Sequence, residues 1–441
     1  MTDQTQADGT HPERVDVLVI GAGPGGSTTA AKLAQLGHDV LVLERRSLPR
    51  FHIGESMLPH MNVIAKRLGV WDRITEQGHV PKHGAEFCRV GSGKYGRVPF
   101  AAQGEGREHS TFQVERAHFD KVLAEFAVES GARMLQNANV ERLIVEDGDR
   151  VVGVVYQHEG RTREVRARWV VDAGGRSSLI TKRFKLRRHL DRMRMVAVFR
   201  HFTGIDERKN PGEEGDIMIG SHDDGWLWAI PIWPDTMSVG SVMRREVFRS
   251  GEPEALLNEH IARLDRISSR IAGAEPKGDV HIEADYCYYS DTIAGRGWFM
   301  VGDAACFFDP IFSGGTFLAM STGYRAAEII DTLLADPSRT QELQERYSGF
   351  YKTGYDLYAR VIYAYYEGKF NIKHYLVSVE DKLGGGSWYD NQWVVRQFSG
   401  DFWSEENLLN QALISEKRFD TFAPFTRVWD CPCYPKEPAA A

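Results

Sequence analysis

Cysteine is scarce in this chain. Five thiols occur in 441 residues, at positions 88, 287, 306, 431 and 433. An odd number at such wide spacing excludes a disulfide framework and points to reduced thiols in a cytoplasmic protein. The one close pair, Cys431-Pro432-Cys433, is too tight for an ordinary metal pair and has no second pair or histidine nearby in the sequence, so no metal site is expected. Long apolar runs are missing as well. None reaches the ~18 residues of a membrane span, and residues 1–14 are polar, without the apolar core of a secretory leader. Neither sign of charge dominates: 54 basic against 61 acidic side chains leave a net charge of −7, which favours neither nucleic acid nor an anionic membrane as partner. There is no internal repeat. What remains is the composition of an ordinary globular enzyme, long enough for two or three domains.

The order of elements is informative. "VDVLVI" (15–20) is a nearly continuous apolar run, as expected of a strand buried on both faces. Glycines follow, then a helix ending at Gly37 and a second strand, "HDVLVLE" (38–44), which together make a βαβ unit. After a polar stretch over 50–110, with helical segments near 59–76 and 115–131, "VVGVVYQ" (151–157) and "EVRARWVVDAGG" (164–175) read as paired strands. Residues 190–290 alternate or run apolar at strand length and predict an antiparallel sheet. "GWFMVGDAA" (297–305) returns to a buried parallel strand, residues 315–336 form a long helix, and the remainder is helical and aromatic-rich. The expected boundaries are tails at 1–14 and 435–441, a discontinuous nucleotide domain at 15–185 and 292–340, an inserted β-sheet substrate domain at 186–291, and a helical region at 341–434.

The stretch "GAGPGG" supplies Gly21, Gly23 and Gly26. The first glycine makes the tight turn, the second admits a pyrophosphate against bare backbone, and the third lets helix and strand pack closely. Glu44, at the end of the second strand, has the spacing of an acid that takes ribose hydroxyls, and Arg45 adjoins it. Three later pieces point to FAD. Arg116 in "QVERAHFD" is placed to meet the flavin phosphates or the adenine side. "VVDAGGRSS" (170–178) ends a strand at Asp172. In "VGDAACFFDPIFSGG" (301–315), Asp303 follows a buried strand where a carboxylate can take ribityl hydroxyls, and the next helix start can stabilise charge at the flavin edge.

This order of motifs over residues 15–335 resembles the FAD-dependent oxidoreductases of the para-hydroxybenzoate-hydroxylase type. It implies a Rossmann-like α/β FAD-binding domain, an inserted, mostly antiparallel β-sheet substrate domain and a C-terminal helical region. Two further stretches narrow the resemblance. "GWLWAIPIW" carries Trp226 and Trp228 in a W-x-W-x-I-P pattern, and "RFHIGESMLP" with "GHVPKHGAEF" places Lys82 two residues before Gly84. Both are similar to the flavin-dependent halogenases of phenol and pyrrole type. On physics alone, alternating tryptophans on a strand are also ordinary packing on one sheet face.

The resemblance implies FAD used as FADH2, with O2 and a halide as co-substrates and a separate flavin reductase as partner. A flavin hydroperoxide would oxidise halide to hypohalous acid, with chlorination the expected outcome and the choice between chloride and bromide open. Lys82 would direct that oxidant to an electron-rich ring, a phenol or pyrrole, free or tethered to an acyl carrier protein. The tryptophan pair would keep substrate off the cofactor. A desolvated lysine can hydrogen-bond the oxidant or trap it as a haloamine. Gly314, Gly315 and Thr316, a glycine turn at a helix start, form the expected halide nest; relatives more often read "SSGV" where this chain has "SGGT". The same fold and FAD motifs also serve aromatic monooxygenases and flavin reductases of carbon–carbon double bonds, which need neither Lys82 nor the tryptophans.

Overall fold

Val17, Leu18 and Val19 have no exposed surface, because the strand that carries them, Glu13–Ile20, runs through the middle of a sheet. The computed structural model describes residues 12–190, 193–205, 215–233, 235–284, 286–422 and 424–434. The expected terminal tails lie outside the described residues, apart from Pro12 and from Glu13 and Arg14, which already belong to this first strand. Val40–Leu43 and Arg161–Asp172 pair with it in parallel on its two sides, and Arg133–Leu135 and Trp298–Met300 extend the parallel part. The far half of Arg161–Asp172 turns antiparallel against Arg150–His158, which pairs in turn with Asn139–Glu146. Helix Pro24–Gln35 packs between helices Arg116–Glu129 and Gly315–Ala335. Strands from residues 13–172 and from 294–300 therefore share one sheet.

The second sheet has seven strands, in the order Glu275–Ala284, Met195–Thr203, Thr236–Arg244, Gly225–Trp233, Ile217–His222, Gly84–Arg89, Tyr95–Pro99. All its pairings are antiparallel except that of Ile217–His222 with Gly84–Arg89. The expected boundary of 186–291 thus omits two strands, which come from the stretch assigned to the nucleotide domain. Strand alternation sorts the two faces. Leu227 and Ala229 face helix Pro253–Ala262 in a small separate core, whereas Trp226, Trp228 and Ile230 join the main core shared with the nucleotide domain.

The longest helix, Thr340–Glu367, carries tyrosines at helical spacing along one face. Tyr347 donates to the Met300 carbonyl (2.7 Å), Tyr351 to that of Gly302, and Tyr358 to that of Asp309 (3.0 Å). Farther along the same helix, the buried Arg360 pairs with Asp356 (2.7 Å) and with Asp420, and donates to the Leu413 and Glu416 carbonyls (3.0 Å each). It ties the last helices to the rest. Arg360→Met removes a buried charge whose partners cannot all re-pair, so chemical denaturation should show a loss of about 3 kcal/mol. An unchanged midpoint would mean the guanidinium does not hold these helices.

Candidate active site

The glycine turn forms as the spacing requires. Gly21 has φ +94°, and a Cβ there would lie 2.7 Å from the Ala173 carbonyl oxygen; at Gly26 it would lie 2.0 Å from that of Gly21. Gly23 differs. Its φ of −75° suits any residue, and a Cβ would meet only Arg50 Nη2, at 3.8 Å. The space in front of Gly23 is therefore open, beside a guanidinium and the N-terminus of helix Pro24–Gln35, which suits a pyrophosphate.

Glu44 is buried and closes the turn itself, accepting from the Ala22 N–H (2.9 Å) and the Arg46 N–H (3.0 Å). Arg45 reaches Ser177 from the surface (3.2 Å). Arg116 does not stand free for a phosphate. It donates Nε and Nη2 to Asp120 (2.7 and 3.1 Å) and Nη1 to the Ile53 and Gly54 carbonyls (2.9 and 3.3 Å). The Asp120 carboxylate, one helical turn on, takes two of its donors, and Arg116 also fixes the 50–57 loop. Arg50, which the sequence reading passed over, is the cation at the cradle, held by Asp120 (3.2 Å) and 3.8 Å from Glu44. Asp172 is likewise a brace: it accepts from the Gly174 and Ile180 N–H groups and from Ser178.

Asp303 has no hydrogen bond to its carboxyl among the described residues. Desolvation pushes its pKa up to about 7, against the charges of Arg116 and Arg176. A half-buried carboxyl with no protein donor fits ribityl hydroxyls, and with the Gly23 cradle it makes the residues present suited to FAD.

Lys82 ends the strand Val80–Lys82 and is almost completely buried. Its Nζ donates to Ser56 Oγ and to the Met57 carbonyl (2.8 Å each) and sits 5.3 Å from the centre of the Phe100 ring. Burial drives its pKa down to about 7, opposed only by Asp216. Ser56 and Met57 belong to the loop that Arg116 pins, so Lys82 and the nucleotide domain share a wall. Glu55, in the same loop, pairs through one oxygen with His201 Nε2 (2.7 Å), and its other oxygen lacks a partner among the described residues. This pair was not singled out in the sequence, although the stretch "GES" contains its acid.

Trp226 and Trp228 lie side by side, ring centres 5.7 Å apart, and Trp228 donates to Ser238 (3.1 Å). Trp226 faces Asp309, whose pKa burial raises to about 7 despite hydrogen bonds from Tyr366 (2.6 Å), the Ile311 N–H (3.1 Å) and Tyr286 (3.3 Å). Rings then step outward from Trp228 to Phe199 (5.7 Å), His281 (5.3 Å) and Phe51 (4.4 Å), which is 45% exposed.

At the expected halide nest, the Gly314 N–H is already engaged by the Tyr358 hydroxyl (3.2 Å), and a Cβ on Gly314 would collide with that ring. Gly315 and Thr316 open helix Gly315–Ala335, where first-turn N–H groups have no intrahelical acceptor. A Cβ on Gly315 would meet nothing within 4 Å. The nest thus reduces from three residues to two.

The FAD binding domain family matches residues 14–348. A tryptophan 2-halogenase of Chondromyces crocatus is 31% identical over 366 residues, spanning 81% of this chain and 68% of that protein. The 1H-pyrrole-2-carbonyl-[peptidyl-carrier protein] brominase of Pseudoalteromonas luteoviolacea is 32% identical over 320 residues, 71% of this chain and 77% of that protein. Among solved structures, the flavin-dependent brominase Bmp2 superposes with a TM-score of 0.79 at 26% identity, covering 91% of this chain and 98% of its own.

The geometry at Gly23 gives a direct test of the cofactor cradle. Gly23→Val should fold, since its backbone is ordinary and its side chain enters open space, yet lose FAD affinity at least about tenfold by fluorescence titration, a penalty above ~1.4 kcal/mol. Wild-type FAD affinity in the folded variant would place the pyrophosphate elsewhere.

Proposed function

The chain belongs to the flavin-dependent halogenases and binds FAD, and we propose that it chlorinates an electron-rich phenol or pyrrole with Lys82 as the catalytic residue. The observation that carries this reading is the environment of Lys82. Reduced FAD, when bound, supplies the two electrons with which O2 oxidises a halide to an electrophilic halogen. Asp303, Arg50 and the Gly23 turn would hold the cofactor. Gly315 and Thr316 would hold the halide.

An amine with a pKa near 7 is partly neutral at neutral pH. With two N–H bonds committed to Ser56 and Met57, its lone pair is directed away from both acceptors. It can attack the halogen of hypohalous acid, forming an N–halogen bond while the hydroxyl and the amine proton leave as water. The halogen then passes to a ring carbon, which loses its proton, and the amine is restored. A guanidinium cannot follow this course, because it stays charged at any working pH. The Trp226–Trp228 pair separates substrate from cofactor, and the ring series from Phe51 inward is a path suited to a planar aromatic.

A single dinucleotide fingerprint occurs in the chain, which is the reason to assign a separate reductase as the source of FADH2. A carrier-tethered ring is part of the reading, because the pyrrole relative is named for such a substrate.

Lys82→Ala should keep FAD binding and reduced-flavin oxidation but lose halogenated product, and Lys82→Arg should fail alike. In wild type, the halogenation rate should rise as pH is raised through about 7, because the free amine is the reactive form and the ammonium is not. The readout is product mass over phenol and pyrrole substrates with a reductase and either halide. Normal chlorination by Lys82→Ala, or hydroxylated product from wild type, would overturn the assignment. Gly315→Ala should raise the KM for halide several-fold at unchanged FAD affinity, since the methyl fills the proposed anion space; an unchanged KM would move the halide elsewhere.

A further inference from the structure

We propose that His60, Asp401 and Cys431, with Cys433 as fourth ligand, form a structural zinc site that fastens the C-terminal segment to the nucleotide domain. The expectation of no histidine near the Cys431-Pro432-Cys433 stretch fails in three dimensions. The chain returns to helix Pro59–Leu68 and sets Cys431 against His60 and Asp401, with one ligand atom from each within 4.8 Å of the others. All three residues are buried.

The atoms that meet there are unsatisfied. His60 is completely buried, and among the described residues neither of its ring nitrogens has a partner within hydrogen-bond distance. Asp401 Oδ1 is also buried without a partner, 4.0 Å from His60 Nε2. Buried polar atoms left unpaired are costly, and one cation would answer Asp401 Oδ1 and one of the two His60 ring nitrogens. The other Asp401 oxygen is held by Arg396 (2.8 Å) and Asn407 (3.3 Å), which orients the free oxygen as partners behind a metal ligand do. The Cys433 thiol touches that of Cys431 and donates to the His60 carbonyl (3.1 Å), a bond it gives up to become the fourth ligand.

The donor set decides the metal. One imidazole, one carboxylate and two sulfurs in a closed, buried cluster suit tetrahedral zinc; calcium and magnesium take oxygen ligands. The thiols enter as thiolates, and their protons go to solvent on binding. A cavity of about 180 Å³ lined by Arg67, Tyr324, Arg325, Glu328 and Asp430 reaches Cys431. Arg67 holds the same segment from outside, donating to the Pro432 and Cys433 carbonyls. His60 lies three residues beyond Met57, so the proposed ion would also steady the turn that holds Lys82.

The test is the zinc content of the FAD-loaded full-length protein, grown with zinc and desalted into metal-free buffer. The expected result is about one zinc per chain, the stoichiometry of a closed four-ligand site, together with a thiolate-to-metal charge-transfer band after cobalt exchange. Cys431→Ser and Asp401→Asn should each lower zinc at least about fivefold, while Cys88→Ser, a remote thiol, should leave it unchanged. Wild-type protein that neither carries nor takes up zinc would overturn the proposal. So would an intact mass showing Cys431 and Cys433 joined as a disulfide, or full zinc retention in Cys431→Ser.

Discussion

The segment from Met300 to Asp309 leaves the parallel sheet and, apart from a two-way bridge between Phe307 and Tyr288, runs without a strand partner, so its carbonyls need donors from elsewhere. They find them in tyrosine hydroxyls: Tyr347 on Met300, Tyr351 on Gly302, Tyr288 on Asp303 and Tyr358 on Asp309. Burial raises the pKa of each of these phenols, so each remains a donor at any working pH. The site depends on these bonds. The same segment carries Asp303 and Asp309, faces Trp226, and runs into the glycine turn that opens helix Gly315–Ala335. Three of the tyrosines lie on helix Thr340–Glu367, so this helix is part of the frame of the cofactor site rather than an appendage.

Local chemistry was legible in the sequence where it is local in space. The Gly21–Gly26 turn, the strand before it and Glu44 after it lie within one βαβ unit, and the pattern fixes their geometry. The alternation of 225–233 likewise put both tryptophans on one face, and the structure turns that face toward the nucleotide domain. Lys82 stood out through flanking residues that resemble a known family, since a lysine on a three-residue strand carries no signal of burial.

What was missed depends on contacts between distant parts of the chain, or on a competing local partner. Gly84–Arg89 joins the second sheet through a parallel pairing with Ile217–His222, and such a pairing leaves no hairpin signal in between. Arg50 reaches the glycine turn from a loop with no periodicity. For Arg116 the signal was present: Asp120 stands four residues on, the spacing at which a helix brings an arginine and an aspartate together. Cys431 meets His60 only because the last segment folds back across the nucleotide domain.

The treatment of charge around Lys82 joins the fold to the chemistry. A carboxylate bonded to the amine would stabilise the ammonium and keep the pKa high, offsetting the effect of burial. Asp216 is the nearest acid with an effect on Lys82, but its oxygens are taken by Arg97 (2.6 Å) and by the His83 N–H (3.0 Å). The direct partners of the amine are a hydroxyl and a carbonyl, which accept from a neutral amine as well as from an ammonium. Desolvation therefore dominates. The strand pairing of Val80–Lys82 with Thr111–Gln113, the Arg116 brace on the 50–57 loop and the Arg97–Asp216 ion pair together give a lysine that is fixed in place and partly uncharged near neutrality. A nucleophilic amine needs both properties, and a surface lysine has neither.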